Sequence, residues 1–267
     1  MDAVTEARGL IMDMDGVLWR GADSLPGVAE LFEALRRRSI PFLLVTNNAS
    51  ASPANVQRKL RTMGAEIETH EVLGSSDATV AWLRNRMPPP APVYAIGEQA
   101  LLEALSLAGY DLHQRSDGVS AVVVGIDRQV DWSKLTEASL AIRAGAIFVG
   151  TNADPSFPME RGLAPGNGAI LAAIQSATGI DPVVIGKPEP YLFTHALQRL
   201  GTNPEVTIML GDRLETDILG GQRAGLATAL VLTGVTSRDD LQHASIQPDW
   251  IFDDLPHFLE AFNEAEP

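Results

Sequence analysis

Short apolar runs recur along the chain, and each one ends abruptly in polar residues. Four of them occupy residues 9–12, 41–45, 182–186 and 206–211. Runs of this length and composition suit the buried strands of a parallel sheet. Apolar residues at helical spacing fill the intervals between them, as at Val28, Leu31 and Leu35. This alternation predicts an α/β fold with a doubly wound, mostly parallel sheet.

The middle of the chain repeats the alternation on its own. A proline-rich stretch at residues 87–92 is too stiff to continue a helix and indicates a domain crossing or a loop. Beyond it we predict strands at 93–96, 121–124 and 146–149, with helices between them. We therefore expect a core domain formed by residues 1–79 and 181–267, and an inserted α/β domain at 80–180.

Polar side chains follow each of the four runs. They are Asp13 and Asp15, then Thr46, Asn47 and Asn48, then Lys187, and last Asp212 with Asp217. In open α/β sheets, ligands bind beyond the carboxyl ends of the strands. If all four strands lie parallel in one sheet, these side chains meet at one edge. Alone, each has a plainer explanation as a turn, a cap or a surface charge, but the set together favours a site.

Charge and composition narrow the possible functions. The net charge is −14 and no long basic run is present, which argues against nucleic-acid binding through a basic face. The chain has no cysteine, so a disulfide and a thiolate nucleophile are excluded. The acidic first residues lack a signal-peptide core, and the uncharged stretch 162–180 is interrupted by proline and glycines. We expect a cytoplasmic protein without nucleic-acid or membrane partners.

The polar segments also form a set that resembles a known family. They are Asp13-Met14-Asp15-Gly16-Val17, Thr46-Asn47-Asn48, Lys187-Pro188 and Gly211-Asp212 through Thr216-Asp217. This set resembles the four motifs of the haloacid dehalogenase superfamily. More narrowly, the chain resembles its NagD-like or 4-nitrophenylphosphatase-like enzymes, in which an α/β cap is inserted between the second and third motifs. The resemblance extends over nearly the whole chain.

The resemblance implies a chemistry for the acids. Asp13 would attack phosphorus and form an aspartyl-phosphate, and Asp15 would act as general acid and then as general base. Asp13, Asp212 and the backbone carbonyl of Asp15 would hold Mg²⁺, which prefers oxygen ligands. Asp217 would lie behind them, holding Lys187 or waters on the metal.

The resemblance also implies which residues contact the substrate. Thr46, Lys187, Asn47 and Asn48 would bind the phosphoryl group. On the cap, two loops, at 125–128 and 152–157, would bring Ile126 and Phe157 to the leaving group. Both of these are apolar, which argues against a strongly charged contact from these positions. The substrate would be a small-molecule phosphate monoester, and the sequence does not identify which one.

Other functions remain open at this point. A phosphotransferase or mutase would use the same first step with a different acceptor. A receiver-type signalling domain also combines acids, a threonine and a Lys-Pro pair, but it is shorter and places its acceptor acid differently. A silent binding protein on this fold would normally have lost a motif residue. We also consider a homodimer, for which the sequence offers no direct support.

Overall fold

The computed structural model describes residues 4–49, 52–159 and 161–263. It divides into two compact units. The first comprises Met1–Thr46, Pro53–Leu73 and Lys187–Pro267, and the second comprises Asn47–Ser52 and Gly74–Gly186. The segment 80–180, which we predicted as the inserted domain, lies inside the second unit.

The strands are β1 (Gly9–Met12), β2 (Trp19–Arg20), β3 (Asp23–Ser24), β4 (Phe42–Thr46), β5 (Val72–Gly74), β6 (Pro92–Ile96), β7 (Asp111–His113), β8 (Ala121–Val124), β9 (Ile147–Gly150), β10 (Ser156–Met159), β11 (Gly162–Pro165), β12 (Val183–Val184), β13 (Thr207–Gly211), β14 (Ala227–Val231) and β15 (Trp250–Phe252). The helices are α1 (Val28–Arg37), α2 (Pro53–Thr62), α3 (Ser75–Arg86), α4 (Gln99–Leu107), α5 (Trp132–Arg143), α6 (Asn167–Thr178), α7 (Pro190–Leu200), α8 (Leu219–Arg223), α9 (Arg238–His243) and α10 (Leu255–Asn263). A π-helical turn, Leu214–Ile218, precedes α8. Among the residues that the structure describes, none of the helices has the length and apolar character that crossing a membrane requires.

A six-stranded sheet forms the centre of the first unit. Its strand order is β15-β14-β13-β1-β4-β5, and β1 pairs in parallel with both β13 and β4. Met12 at the end of β1 lies level with Leu210 on one side and Leu44 on the other. These strands therefore end at the same edge of the sheet, as the sequence predicted for their carboxyl ends.

Helices cover this sheet because each has a stripe of apolar side chains that packs against the apolar side chains of the strands. α1 buries Leu31, Phe32 and Leu35, and the ring of Phe32 meets that of Phe42 on β4 edge to face, with the ring centroids 5.1 Å apart. Burying side chains of this size stabilises the fold by about 1.5–3 kcal/mol each. α7 packs on β1 and β4, and α10 packs on β15 and α1. The unit is a doubly wound α/β domain, which confirms the predicted fold class.

A second parallel sheet forms the centre of the second unit, with strand order β12-β9-β8-β6-β7. α5 and α6 pack together and against this sheet. Their buried core includes Tyr94, Val122 and Phe148 from the strands and Ile142 and Ile174 from the helices. The inserted region is therefore α/β as well, and its β10–β11 hairpin is the antiparallel exception.

One topological prediction was wrong. Val183 and Val184 form β12, which pairs with β9 in the sheet of the second unit, instead of joining the first sheet. Ile185 and Gly186 continue that pairing through their backbone N–H groups, which donate to Gly150 and Thr151 at 3.1 and 2.8 Å. The apolar run at 182–186 indicates a strand but carries no information about which of two parallel sheets receives it.

Several short strands escaped the sequence analysis, among them β5 and the β10–β11 hairpin. β5 completes the edge of the first sheet, yet its three residues are too few to show a period. β10 begins inside the loop that we predicted at 152–157, and the proline and glycine residues at 158, 162 and 165 obscure the strand pattern of the β10–β11 hairpin. Phe157 consequently lies on a hairpin strand, paired with Ala164, instead of on a loop.

Candidate active site

Three strands of the first sheet deliver polar side chains at their carboxyl ends. Asp13 follows β1, Asp212 follows β13, and Thr46 is the last residue of β4. All three are buried. The backbone N–H of Asp13 donates to the carbonyl of Leu210 at 2.9 Å, so the pairing of β1 with β13 continues up to the acid. The sheet thus fixes where Asp13 lies relative to Asp212.

Lys187 joins two of the carboxylates in the first unit. Its Nζ donates to Asp13 Oδ1 at 2.5 Å and to Asp217 Oδ1 at 2.7 Å. The lysine is only 4 % exposed, and it lies three residues before the start of α7. Although it does not follow a strand of the first sheet, it still meets Asp13. The predicted contact between Lys187 and Asp217 is also present.

Asp217 lies in the π-helical turn and is fully buried. Its second oxygen, Oδ2, accepts the backbone N–H groups of Asp212 and Arg213 at 3.2 and 3.1 Å. Because both oxygens are engaged within the protein, Asp217 ties Lys187 to the loop that carries Asp212. Such a residue positions its neighbours.

Burial strongly perturbs the acids of this site. It raises the pKa of Asp13 to about 7; Lys187 opposes this rise, and the charges of Asp217 and Asp15 add to it. It also raises the pKa of Asp212 to about 8, with Asp217 and Asp13 adding to the effect. Burial alone would lower the pKa of Lys187, but the two carboxylates raise it above its usual range. The ammonium therefore stays charged, while burial and mutual repulsion disfavour the ionisation of Asp13 and Asp212.

The residues present fit a divalent cation. One carboxylate oxygen each of Asp13, Asp212 and Asp217 lies within 4.8 Å of the other two, and we call these three residues the carboxylate cluster. Three carboxylates and one ammonium leave a formal charge of −2. Asp212 Oδ1 is buried without a hydrogen-bond partner in residues 4–49, 52–159 and 161–263, and such an orphaned oxygen is costly unless it is ligated. Hard oxygen donors of this kind suit Mg²⁺.

Glycines let backbone approach Asp212 closely. Gly16 has φ +86°, and a Cβ there would lie 2.4 Å from Asp212 Oδ2. A Cβ on Gly234 would lie 1.8 Å from the same oxygen, and the next residue, Val235, donates its backbone N–H to that oxygen at 2.7 Å. The sequence analysis missed Gly234 and Val235, because a Thr-Gly pair after a strand is indistinguishable from an ordinary turn.

Asp15 is exposed, and it has a partner that the sequence analysis did not identify. The indole Nε1 of Trp19 donates to Asp15 Oδ1 at 2.8 Å. Trp19 itself is buried. The spacing of four residues gave no signal, because the turn between them is irregular.

The other polar residues of the second motif belong to the second unit. Asn47 donates its side-chain Nδ2 to Asp154 Oδ1 at 3.1 Å, and its carbonyl accepts Asn152 Nδ2 at 2.7 Å. Asn48 is half-buried. The loop 152–154 is in turn fixed by Asn167, which donates to the carbonyl of Asn152 at 2.7 Å. The partnership of Asn47 with Asp154 was not predicted.

Of the two apolar cap residues, Phe157 lies near an arginine. Ile126 is buried and Phe157 is half-buried. The guanidinium carbon of Arg128 lies 5.4 Å from the ring centroid of Phe157, and its Nη1 lies 3.0 Å from Glu98 Oε1. Arg128 thus forms a salt bridge with Glu98. These contacts place an aromatic face and a paired cation in one part of the second unit.

Comparison with known proteins identifies the family. The sequence model of the haloacid dehalogenase-like hydrolases matches residues 10–111, and a second model, for HAD-hydrolase-like sequences, matches residues 184–258. The first match contains Asp13, Asp15 and Thr46, and the second contains Lys187 and the Asp212–Asp217 segment. Together they cover more than half of the chain.

Relatives match over nearly the full length. The acid sugar phosphatase of Staphylococcus aureus is 39 % identical over 259 residues, which are 97 % of this chain and 98 % of the relative. The 4-nitrophenylphosphatase of Thermotoga maritima superposes with a TM-score of 0.92 at 31 % identity, covering 97 % of this chain and 98 % of that one. A glycerol phosphate phosphatase of Mycobacterium tuberculosis, solved with magnesium, gives a TM-score of 0.87 at 39 % identity, covering 96 % and 78 %.

All three of these relatives are named as phosphatases, which favours hydrolysis over the transfer, signalling and binding alternatives raised from the sequence. The predicted resemblance to NagD-like and 4-nitrophenylphosphatase-like enzymes is confirmed. The chain belongs to the haloacid dehalogenase-like hydrolases, and within them it is a phosphatase of the NagD-like group.

Proposed function

We propose that the protein hydrolyses a small-molecule phosphate monoester with Mg²⁺, through an aspartyl-phosphate formed on Asp13. The observation that carries this proposal is the contact of buried Asp13 with Lys187 within the carboxylate cluster. Phosphoryl transfer requires positioning and charge neutralisation more than covalent help from the protein. A carboxylate held by a buried ammonium at a sheet edge supplies the positioning.

Lys187 orients the nucleophile. It occupies Asp13 Oδ1, which leaves Oδ2 for the bond to phosphorus. Asp217 also holds the ammonium, at 2.7 Å, so the lysine stays in place when the carboxylate is phosphorylated. Its charge then remains beside the transferred phosphoryl group.

Asp13, Asp212 and the backbone carbonyl of Asp15 would hold Mg²⁺. When bound, the ion offsets the negative charge shared by the carboxylate cluster and the phosphate. The orphaned Asp212 Oδ1 supports this assignment, because a ligand atom there would satisfy it.

The remaining motif residues have proposed roles around the same edge. Thr46 would donate its hydroxyl to a phosphoryl oxygen, as would the amides of Asn47 and Asn48. Asp15 would protonate the leaving oxygen in the first step and take a proton from water in the second. The cap residues Ile126 and Phe157 would contact the leaving group.

For the substrate, we propose a sugar or polyol phosphate. The names of two relatives, an acid sugar phosphatase and a glycerol phosphate phosphatase, support this class. Apolar Ile126 and Phe157 fit a neutral leaving group better than a charged one. The homodimer and the cytoplasmic location remain predictions.

The test is phosphate release from a panel of sugar, polyol and aryl phosphates, with and without Mg²⁺. We expect Mg²⁺-dependent release from wild type and none from Asp13→Asn. The matched control is Asp117→Asn, an exposed acid of the second unit, which should retain full activity. Undiminished activity of Asp13→Asn would refute the nucleophile, and unchanged activity in a chelator would refute the metal.

A second readout does not depend on turnover. Wild type should bind Mg²⁺ in a calorimetric titration, and Asp212→Asn should bind it at least about tenfold more weakly, because a carboxylate ligand is lost. Equal affinities would exclude Asp212 as a ligand, whatever the activity of the variant.

A further inference from the structure

We propose that Trp19 is a positioning residue for Asp15: its indole N–H selects Asp15 Oδ2 as the oxygen that carries the transferred proton, and Lys59 holds the indole ring in place. This inference rests on the proposed function, in which Asp15 exchanges protons with the leaving group and with water. It gives a role to Trp19 and Lys59, which lie outside the four motifs.

The hydrogen bond determines which oxygen can be protonated. Trp19 Nε1 lies 2.8 Å from Asp15 Oδ1. An indole N–H is a donor and never an acceptor, so the oxygen that faces it must offer a lone pair. The unprotonated oxygen of a carboxyl group is the better acceptor, so this hydrogen bond favours a proton on Oδ2. The carboxyl is also held against rotation, because turning it would place a protonated oxygen against the indole.

The backbone holds both partners in one turn. The N–H of Gly16 donates to the carbonyl of Trp19 at 2.7 Å, and the N–H of Trp19 donates to the carbonyl of Met14 at 3.3 Å. Thr233 Oγ1 donates to the carbonyl of Gly16 at 2.6 Å, which joins this turn to the segment after β14. The indole and the carboxylate are thus presented by a single closed loop.

Lys59 fixes the other side of the indole. Its Nζ lies 3.9 Å from the centroid of the Trp19 ring and donates to the carbonyl of Gly21 at 2.8 Å. A cation over an indole face is attracted to the ring and withdraws electron density from it. This makes the N–H a stronger donor toward Asp15. The helix α2 carries Lys59, so the contact also anchors the loop to a regular element.

The proton balance follows from this geometry. In the first step a bond forms between Asp13 Oδ2 and phosphorus, the bond from phosphorus to the ester oxygen breaks, and that oxygen takes the proton from Asp15 Oδ2. In the second step a water oxygen bonds to phosphorus, the Asp13–phosphorus bond breaks, and Asp15 Oδ2 takes back a proton from the water. Trp19 keeps its own proton throughout.

The test uses the dependence of rate on the leaving group. Proton donation matters for a poor leaving group such as an alkoxide, and little for 4-nitrophenolate. We expect Trp19→Phe, which keeps an aromatic ring but has no N–H, to lower kcat/KM for an alkyl phosphate by about 10–100-fold, a part of the roughly 10²–10⁴-fold that a positioned acid contributes. For 4-nitrophenyl phosphate, kcat/KM should fall less than about threefold, since little proton transfer is needed there. The parameter kcat/KM reports the first step, where the leaving group departs.

The matched control is Trp82→Phe. Trp82 lies on α3 beneath Arg86, with the guanidinium carbon 3.8 Å from the ring centroid, so the variant makes the same change under another cation. Trp82→Phe should lower kcat/KM for both substrates equally or not at all. Lys59→Met should act in the same direction as Trp19→Phe but more weakly, and it serves as the second variant if Trp19→Phe does not fold.

Equal losses of kcat/KM for the two substrates in Trp19→Phe would overturn the proposal, as would the absence of any loss. If Trp19→Phe does not fold, the same outcomes in Lys59→Met overturn it. Failure of the proposed function has a different signature. In that case wild type itself shows no Mg²⁺-dependent release, or Asp13→Asn remains active.

Discussion

At the scale of single residues, the site depends on one lysine shared by two buried acids. Lys187 contacts Asp13 and Asp217 at 2.5 and 2.7 Å, and it is almost fully buried. A buried ion pair is weak evidence for stability as a whole, but removing one partner leaves an uncompensated charge. Lys187 is therefore the residue whose loss should be felt in both folding and activity.

We predict that Lys187→Met lowers the free energy of unfolding by about 3–5 kcal/mol, because two buried carboxylates lose their counter-charge. Phosphatase activity should be lost as well. Urea denaturation followed by circular dichroism measures the first effect. The matched control is Arg223→Met, which removes an exposed ion pair of 3.3 Å with Glu189 and should cost about 1 kcal/mol or less. Equal losses in the two variants would contradict the prediction.

A second prediction concerns a glycine. Gly234→Ala places a Cβ 1.8 Å from Asp212 Oδ2, so the carboxylate must move and lose the N–H of Val235. We expect Mg²⁺ affinity to fall about 10–100-fold, as it does when the partners of metal ligands are removed. Calorimetric titration measures this. Gly74→Ala is the control, since its Cβ would meet its nearest neighbour at 3.5 Å. Unchanged affinity in Gly234→Ala would show that Asp212 tolerates displacement.

At the scale of elements, a bidentate ion pair connects α1 to the turn before β5. Arg36 Nη1 and Nη2 donate to Glu71 Oε1 and Oε2 at 2.5 and 2.6 Å. Glu71 also accepts the backbone N–H of Glu68 at 2.8 Å. The pair secures the edge strand, which is too short to be held by its own ladder.

This pair predicts a pH dependence of stability. Burial raises the pKa of Glu71, but the hydrogen bonds from Arg36 and from the Glu68 N–H outweigh it and hold the pKa below its usual 4.5. A folded-state pKa below the unfolded one means that the stabilisation is fully present above about pH 4.5. It is lost as the pH falls through the folded value.

The matching measurement compares wild type with Glu71→Gln in thermal denaturation between pH 3 and pH 7. We expect wild type to be the more stable at pH 7 by about 1 kcal/mol, since Arg36 is half-exposed and solvent screens the pair. The difference should shrink toward pH 3. A difference that stays constant across this range would show that the charge of Glu71 does not contribute.

At the scale of the whole molecule, the residues of the proposed cation site all belong to one unit. Asp13, Asp212, Asp217 and Lys187 all lie in the first unit, although Asp13 and Lys187 are separated by the entire second unit in sequence. A ligand that binds only the folded state stabilises it by mass action. The gain is about 2.7 kcal/mol when the ligand concentration is one hundred times the dissociation constant.

We therefore predict that Mg²⁺ slows hydrogen exchange in β1, β13 and the π-helical turn, and leaves β8 and β9 of the second unit unchanged. Exchange measured by mass spectrometry with and without the ion tests this. Asp212→Asn should abolish the protection. Equal protection in both units would contradict an assignment of the ion to the first unit alone.

Much of this architecture was predictable from local patterns. The apolar runs before Asp13, Thr46 and Asp212 each form a strand of one parallel sheet. The polar side chains at their carboxyl ends lie together because parallel strands end at the same edge of the sheet. Helix starts such as Pro53 and Pro190 were also predictable, because proline is accommodated in a first turn. These features depend on neighbours in sequence.

The sequence by itself determined the α/β class, the family motifs and the placement of Asp13, Thr46 and Asp212 at the strand ends, because apolar runs and the polar residues that follow them are local features. Only the tertiary structure decided that β12 joins the second sheet, that Trp19 binds Asp15, and that Gly234 and Val235 border Asp212. These contacts depend on which segments pack side by side and at what register. The sequence of an apolar run does not identify the segment with which it pairs.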